Sequence, residues 1–283
     1  MSVKRIQWFP GHMAKAFRDF KKVFSLVHLI VEVADARIPI TSRNPELGHL
    51  ASHKPRILLL NKMDLADPRI TVQWHEFWEK EGINVFPVNA RLQQGFLEVT
   101  RKIKTLQVSN PSPFRLMIIG LPNTGKSSVL NSLCKNGRCK TGNKPGTTRG
   151  KQWITTPYGW ELLDTPGLMQ PGEMTAQAGV KLAAAGVIPD DLLGLEELAL
   201  DLIRVLKEKY ALGDQKAVCL NQEADEYAIL KGFGLKQGCL AKRGEVDLHR
   251  TAGIFMRDFR NGRLGRFTLE WPQDFYPSTS VEK

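Results

Sequence analysis

A phosphate-binding motif lies near the middle of the 283-residue chain. Residues 120–128 read Gly-Leu-Pro-Asn-Thr-Gly-Lys-Ser-Ser, which fits the pattern G-x-x-x-x-G-K-[ST]. In such a loop the backbone N–H groups surround the phosphates, the lysine reaches the outer phosphates and the next hydroxyl binds Mg²⁺. The motif predicts a bound nucleoside triphosphate, with Lys126 acting in binding and catalysis and Ser127 as a magnesium ligand. The other loop residues predicted to contact the nucleotide are Asn123, Thr124, Gly125 and Ser128.

A second motif, Asn-Lys-Met-Asp at residues 61–64, has the chemistry to select a base. A carboxylate at Asp64 can accept hydrogen bonds from guanine N1–H and from the 2-amino group. Asn61 would brace the loop, and the stem of Lys62 would lie over the base. Adenine lacks both donors, and sites that depend on such pairs discriminate by roughly 10⁴. The motif therefore predicts a guanine nucleotide.

Two more segments have the pattern of nucleotide switches. Residues 164–167 read Asp-Thr-Pro-Gly at the end of a strand-like run, which places Asp164 at the magnesium site and the Gly167 N–H at the γ-phosphate. Thr148 lies in a basic, glycine-punctuated segment, residues 135–151. A threonine in such a mobile loop becomes ordered around Mg²⁺ and the γ-phosphate. We therefore expect Thr148 and Asp164 at the metal, and Thr148 and Gly167 in catalysis.

Each of these motifs is positioned by a predicted strand or helix. Strand-like apolar runs cover residues 26–34, 56–60, 84–88 and 114–119, and residues 152–156 and 160–163 form a predicted hairpin. Helical spacing covers residues 72–80 and 96–103 and follows the phosphate loop. Because ligands bind at the carboxyl ends of parallel strands, the pattern predicts an α/β fold with a mostly parallel sheet flanked by helices. Asn89 and Ala90, after one such run, either present N–H groups to the base oxygen or form a plain turn.

The order of the motifs differs from that of an ordinary GTPase, in which the base motif follows the phosphate loop. The same sheet can form if the chain begins at another strand, which is a circular permutation. We therefore expect a circularly permuted P-loop GTPase domain in residues 1–172. Residues 173–283 are expected to form a C-terminal α-helical domain, with one helix ending near residue 185 and others over residues 195–210 and 247–259.

The chain carries a net charge of +11 and has a pI near 9.6. This balance favours an extended polyanionic partner, either nucleic acid or an anionic membrane surface. One cationic cluster lies on a predicted helix over residues 13–27, where it either contacts phosphates or forms a solvated face. A second cluster near the C-terminus suits RNA phosphates and consists of Arg250, Arg257, Arg260, Arg263 and Arg266.

The sequence also predicts the cellular location. No apolar run approaches the length of a membrane span, and the N-terminus lacks the apolar core of a signal peptide. The cysteines are few and scattered, which predicts reduced thiols; they are Cys134, Cys139, Cys219 and Cys239. We expect a cytoplasmic protein without stable membrane association.

Together, the motifs resemble those of the ribosome biogenesis GTPase A (RbgA/YlqF) family in its bacterial form. The resemblance covers nearly the whole chain and includes Phe-Pro-Gly-His-Met at residues 9–13, Asp-Ala-Arg-Ile-Pro at 35–39, and residues 236–240 and 262–267. It implies binding of GTP and GDP, hydrolysis of GTP, and a role late in assembly of the large ribosomal subunit. The subunit precursor and its rRNA would be the partners, and we expect the protein to be a monomer.

Hydrolysis needs a group that positions the attacking water. Leu168 stands where most GTPases carry a glutamine, so either another group positions the water or intrinsic hydrolysis is very slow. The resemblance implies that His12 is the substitute, because imidazole can orient a water near neutral pH; otherwise His12 helps to fold the N-terminal turn. It also implies that Asn123 ligates a potassium ion; otherwise Asn123 braces the loop. We expect a GTPase that is slow alone and stimulated by the ribosomal subunit.

Two alternative functions share some of these features. An RNA-binding assembly chaperone with mainly structural GTP or GDP would be consistent with Leu168. A membrane-peripheral G protein would use the same positive charge, but the sequence has neither a lipidation signal nor a long basic amphipathic helix with aromatic anchors.

Overall fold

The computed structural model describes residues 5–7, 23–44, 54–108, 112–134, 140–142, 153–164, 173–210, 224–242 and 244–275. Nine strands lie in these ranges: β1 (Arg5–Gln7), β2 (Leu29–Asp35), β3 (Arg56–Asn61), β4 (Asn84–Pro87), β5 (Arg115–Ile119), β6 (Lys140–Gly142), β7 (Trp153–Thr155), β8 (Glu161–Asp164) and β9 (Glu173–Thr175). The helices of the same ranges are α1 (Pro68–Lys80), α2 (Phe96–Gln107), α3 (Lys126–Leu133), α4 (Ala176–Ala184), α5 (Leu195–Lys209), α6 (Glu226–Lys236), α7 (Leu248–Arg260) and α8 (Pro272–Phe275), with a 3₁₀ turn at Asp190–Leu192.

Seven strands form one sheet in the order β4-β3-β2-β5-β8-β7-β6. The strands from β4 to β8 are parallel, and β7 and β6 are antiparallel. The central strands are buried on both faces, as expected of apolar runs in a parallel sheet. Asp35 pairs opposite Asn61, and Ile118 pairs opposite Asp164, so the predicted motifs begin at one edge of the sheet.

Helix α1 begins four residues before its predicted start at residue 72. Asp67 caps it, because its carboxylate accepts a hydrogen bond from the Arg69 N–H at 2.8 Å, and Pro68 occupies the first turn. The N-terminal helix predicted over residues 13–27 lies mostly outside the described residues, although Val23 and Phe24 are helical.

Helices α4, α5, α6 and α7 surround a second apolar core that includes Leu202, Ile203 and Phe255. The sequence analysis did not identify α6. Two glycines interrupt its apolar spacing, and glycine weakens a helix. One of them has a packing role, because a Cβ at Gly234 would lie 2.5 Å from Thr251 Oγ1 of α7. Gly234 therefore lets α6 and α7 approach closely.

The chain returns to the sheet after α7. Residues Phe267, Thr268, Leu269 and Glu270 are buried there. The Leu269 N–H donates to the Arg37 carbonyl at 2.7 Å, and Trp74 Nε1 donates to the Glu270 carbonyl at 2.8 Å. The C-terminal third is thus anchored by its own last segment to the loop after β2 and to helix α1. The domain boundary between residues 172 and 173 stays a prediction.

Two further expectations concern the cysteines and the membrane. Cys239 is a free, buried thiol, whereas Cys134 is disulfide-bonded, so the prediction of reduced thiols is wrong for Cys134. In the described part of the chain, every helix is too short or too polar to cross a bilayer.

Candidate nucleotide-binding site

The phosphate-loop motif joins β5 to α3 and forms a compact turn. Thr124 Oγ1 donates to the Leu121 carbonyl at 2.9 Å, and Lys126 Nζ donates to the same carbonyl at 2.9 Å. Lys126 is the first residue of α3 and is largely buried, while Ser127 and Ser128 are exposed in the first helical turn. The N–H groups at a helix start are free of intrahelical partners and favour anions. The loop is therefore suited to hold phosphates.

Asn61 connects the base motif to the phosphate loop. Its side-chain Nδ2 donates to the Thr124 carbonyl at 2.8 Å, and its Oδ1 accepts from the Ala90 N–H at 3.0 Å. The side chain is buried, so both bonds are shielded from water. One amide thus holds three loops at fixed distances, although these loops are far apart in the sequence.

Asn89 and Ala90 use their N–H groups within the protein. The Asn89 N–H donates to the Gln94 carbonyl at 3.1 Å, and the Ala90 N–H donates to Asn61. Asn89 lines the cavity described below. A contact of either N–H with a base oxygen stays a prediction.

Lys62 is held by a buried carboxylate. Its Nζ lies 2.8 Å from Asp35 Oδ2, and its backbone has a φ of 60°, which a non-glycine residue adopts only where its surroundings impose it. Asp35 is fully buried and also binds the Arg37 guanidinium through two side-chain hydrogen bonds, at 2.9 and 2.8 Å. Burial alone would raise the pKa of Asp35, but Arg37 and Lys62 together hold that pKa well below its usual range. Asp35 is thus a permanent anion beneath Lys62.

These loops enclose a cavity of about 340 Å³. Asp64 is exposed and lines this cavity, as do Gly125 and Ser128 at the start of α3. The residues that line the cavity are Arg37, Asn61, Lys62, Asp64, Leu65, Asn89, Arg91, Gly125, Ser128, Ala185, Arg260 and Asn261. The base motif and the phosphate loop therefore face one cavity, and the helical third of the chain supplies part of its wall.

Comparison with known proteins identifies this arrangement. Residues 115–224 match a family model described as 50S ribosome-binding GTPase. Ribosome biogenesis GTPase A from Bacillus cereus is 36% identical over 281 residues, and the match covers 95% of each chain. The chain belongs to the ribosome biogenesis GTPase A family.

Solved structures of family members have the same fold. A GDP-bound YlqF structure is 28% identical and covers 91% of this chain and 100% of that chain, with a TM-score of 0.69. A GNP-bound YlqF structure from T. maritima is 28% identical and covers 92% of this chain and 99% of that chain, with a TM-score of 0.66. The predicted fold class, a circularly permuted P-loop GTPase with C-terminal helices, is confirmed.

In this GTPase, the last turn of α4 reaches the nucleotide cavity. Asn123 Nδ2 donates to the Gly186 carbonyl at 2.8 Å, and Arg37 Nη2 donates to the Ala185 carbonyl at 3.1 Å. Arg260 of α7 donates to the carbonyls of Ala184 and Ala183, at 3.2 and 2.7 Å. Four successive carbonyls at a helix C-terminus thus accept side-chain donors from three parts of the chain. Sequence reasoning missed these contacts, although Arg37 lies in a motif that it had singled out.

Two arginines that were predicted to face RNA are used within the protein. Arg260 binds α4 and also pairs with Asp190. Arg266 donates to the carbonyls of Ala66 and Met63, at 3.0 and 2.7 Å, beside the base motif. Both guanidinium groups thus make contacts within the fold, although Arg266 stays exposed, and a contact of either arginine with RNA stays a prediction. Arg250, Arg257 and Arg263 are exposed.

Several predicted site residues lie outside the described residues. These are His12, Thr148 and Gly167. The backbone of Asp164 ends β8 at the same sheet edge as the phosphate loop. Among the described residues, no group of three or more histidines, cysteines or carboxylates is arranged to hold a metal ion.

Gly125 offers a test of the connection between the two motifs. Its φ is 101°, and an added Cβ would lie 2.1 Å from Asn61 Nδ2. Gly125→Ala should break the Asn61–Thr124 bond, lower the free energy of unfolding by about 2–4 kcal/mol and weaken GDP binding at least about tenfold. Urea unfolding and titration with a fluorescent GDP analogue measure the two effects.

Gly159→Ala is the matched control. Gly159 has a similar φ of 78°, but an added Cβ there meets no atom within 4 Å. It should cost only the backbone strain, about 1 kcal/mol, and leave GDP affinity unchanged. Equal effects of the two substitutions on GDP affinity would show that contact with Asn61 is unimportant.

Proposed function

We propose that this GTPase binds GTP and GDP in the 340 Å³ cavity and hydrolyses GTP as an assembly factor for the large ribosomal subunit. The observation that carries the proposal is the pair of hydrogen bonds made by Asn61, which bring a guanine-selective loop and a phosphate loop to one cavity. Family membership supports the role in ribosome assembly, since the relative from Bacillus cereus is named ribosome biogenesis GTPase A.

The nucleotide would lie between the two motifs. Asp64 would accept hydrogen bonds from guanine N1–H and the 2-amino group, and the Lys62 stem would cover the base. The β- and γ-phosphates would contact Lys126 and the N–H groups at the start of α3. Asn89 and Ala90 would lie beside the base, and Thr124, Gly125 and Ser128 would contact the phosphates.

The chain also has suitable ligands for two cations. Mg²⁺ would bind the exposed hydroxyl of Ser127, with Thr148 from the switch loop and Asp164 nearby, and it would neutralise developing phosphate charge. K⁺ would bind Asn123 Oδ1. Only the amide nitrogen can donate to the Gly186 carbonyl, so that bond does not use Oδ1. Bracing of the phosphate loop remains the alternative role, since the same bond joins Asn123 to the Gly186 carbonyl.

RNA contact is assigned to the helical third, residues 173–283. Lys231, Lys242, Arg250 and Arg257 are exposed on α6, on α7 and on the turn between them. Exposed cations of this kind neutralise phosphates and release counterions. We place the protein in the cytoplasm as a monomer, with GTP loading favouring binding to the subunit precursor and hydrolysis favouring release.

Catalysis would depend on the ribosomal subunit. Leu168 cannot hydrogen-bond to water, so the intrinsic rate should be low, and His12 would position the attacking water once the subunit completes the site. The Gly167 N–H would contact the γ-phosphate. Without such stimulation, the protein would be an RNA-binding chaperone with a mainly structural nucleotide.

GTP hydrolysis with and without large ribosomal subunits, in potassium and in sodium, tests the proposal on wild type and on His12→Ala. We expect stimulation by subunits of at least about 10²-fold, which requires potassium and falls with His12→Ala. If stimulation persists in His12→Ala, the protein is a subunit-stimulated switch, but His12 does not position the attacking water. No stimulation by mature or immature subunits would favour the chaperone, and binding to anionic vesicles would revive a membrane-peripheral role.

A further inference from the structure

Asp35 lies between the base motif and the helical third of the chain. On one side its Oδ2 is 2.8 Å from Lys62 Nζ. On the other side its two oxygens accept from Arg37 Nε and Nη2, and Oδ1 also accepts from the Arg37 N–H at 3.0 Å. One fully buried carboxylate thus pairs with two cations, so the local charge is positive even before the other cavity residues are counted.

Arg37 continues the connection to α4. Its Nη2 donates both to Asp35 and to the Ala185 carbonyl, and its guanidinium lies 5.6 Å from the centroid of the Phe259 ring of α7. Its Nη1 is buried and has no hydrogen-bond partner among the described residues. A buried N–H without a partner is costly. The orientation of Arg37 is therefore imposed by the contacts with Asp35, Ala185 and Phe259.

At the nucleotide end of this connection lies Lys62, whose side chain is flexible. Lysine has a four-carbon stem, and fixing it over a ligand costs conformational entropy. The ion pair with Asp35 orders the Lys62 side chain before the nucleotide binds, so less entropy is lost on binding and the affinity is higher. The adjacent Gly186 carbonyl accepts from Asn123 of the phosphate loop. Both ends of the nucleotide cavity are therefore connected to the same turn of α4.

We propose that Asp35 and Arg37 are positioning residues, which fix Lys62 over the guanine and connect the base pocket to the C-terminal turn of α4. The inference rests on the proposed binding of guanine nucleotides at this cavity. Because coupling is reciprocal, nucleotide binding also stabilises the turn formed by residues 183–187. In this way the occupied base pocket favours one placement of the helical third.

A double-mutant cycle tests the connection. Arg37→Gln should weaken binding of a fluorescent GDP analogue about tenfold in the wild-type background and hardly at all in a Lys62→Met background, because the two residues act on the same contact. Loss of Arg37 leaves a buried carboxylate with one partner fewer, which lowers stability. If Arg37→Gln does not fold, the double variant Asp35→Asn/Arg37→Gln takes its place in the cycle. It removes both charges of the pair and so leaves no unpaired buried carboxylate.

Arg43→Gln is the matched control. Arg43 makes the same two-bond contact with Glu32, a buried carboxylate on the same strand β2, at 2.9 and 3.0 Å, but does not line the cavity. It should lower stability and leave GDP affinity unchanged. Hydrogen exchange gives a second readout: GDP should slow exchange of residues 183–187 in wild type and in Arg43→Gln, and not in Arg37→Gln.

The outcomes separate this inference from the function on which it rests. If wild type binds no guanine nucleotide, both the function and the connection are overturned. If wild type binds GDP, but Arg37→Gln and Lys62→Met weaken binding additively, only the connection is overturned. An equal loss of affinity in Arg43→Gln would also overturn it, since the effect would then be one of general stability.

Discussion

Lys126→Met should reduce GTP affinity at least about 100-fold, which is about 2.7 kcal/mol, and should abolish measurable hydrolysis. The ammonium lies at the first residue of α3, inside the phosphate loop, where its Nζ already donates to the Leu121 carbonyl. A nucleotide would place its outer phosphates at this charge. Hydrogen bonds between an ammonium and a phosphate are among the strongest in proteins, and methionine has a similar length but no charge. Titration with a fluorescent GTP analogue gives the change in affinity.

Folding should change little in the same variant. Methionine is a good helix former and suits a largely buried position, so we expect the free energy of unfolding to remain within about 1 kcal/mol of wild type. Lys80→Met is the control, because Lys80 is exposed in the last turn of α1 and lies outside the cavity. If Lys80→Met lowered affinity as much as Lys126→Met, the effect would reflect net charge and not the phosphate loop.

Asp64→Asn should reverse the base preference from guanine to xanthine. The carboxylate can accept from N1–H and from the 2-amino group of guanine, whereas asparagine can accept from N1–H and donate to the 2-carbonyl of xanthine. GDP affinity should fall by roughly 10² to 10⁴, and XDP should become the tighter ligand, because a mismatched pair leaves polar groups unpaired in a desolvated site. Competition of GDP and XDP against a fluorescent nucleotide measures both affinities.

Because Asp64 is exposed, its substitution should change base recognition without changing the fold. Its side chain has no hydrogen-bond partner among the described residues, so the substitution should not disturb the loop. Asp191→Asn serves as the control, since Asp191 is an exposed carboxylate in the 3₁₀ turn and does not line the cavity. A loss of GDP affinity in Asp64→Asn without any gain for XDP would mean that Asp64 does not contact the base edge.

Much of the sheet could be predicted from local sequence. The runs at residues 56–60 and 114–119 lie almost wholly within strands β3 and β5, because a strand buried on both faces needs a continuous apolar run. The rule that ligands bind at the carboxyl ends of parallel strands then predicted that the loops at residues 61–64 and 120–128 meet, as the bond between Asn61 and Thr124 shows. Helix α6 was missed because two glycines weaken its helix propensity, and the reason for one of them, the close packing of Gly234 against α7, is visible only in the structure.

The sequence by itself therefore determined the type of nucleotide chemistry and the class of fold, because both depend on residue types at short, fixed spacings. Only the tertiary structure decided which side chains hold the site together. Arg266 contacts the Met63 carbonyl, and Arg37 contacts the Ala185 carbonyl, although each pair is far apart in the chain. Every residue has the same backbone carbonyl, so a bond to one leaves no mark in the sequence. A cationic side chain that contacts such a carbonyl looks, in sequence, the same as one that contacts RNA.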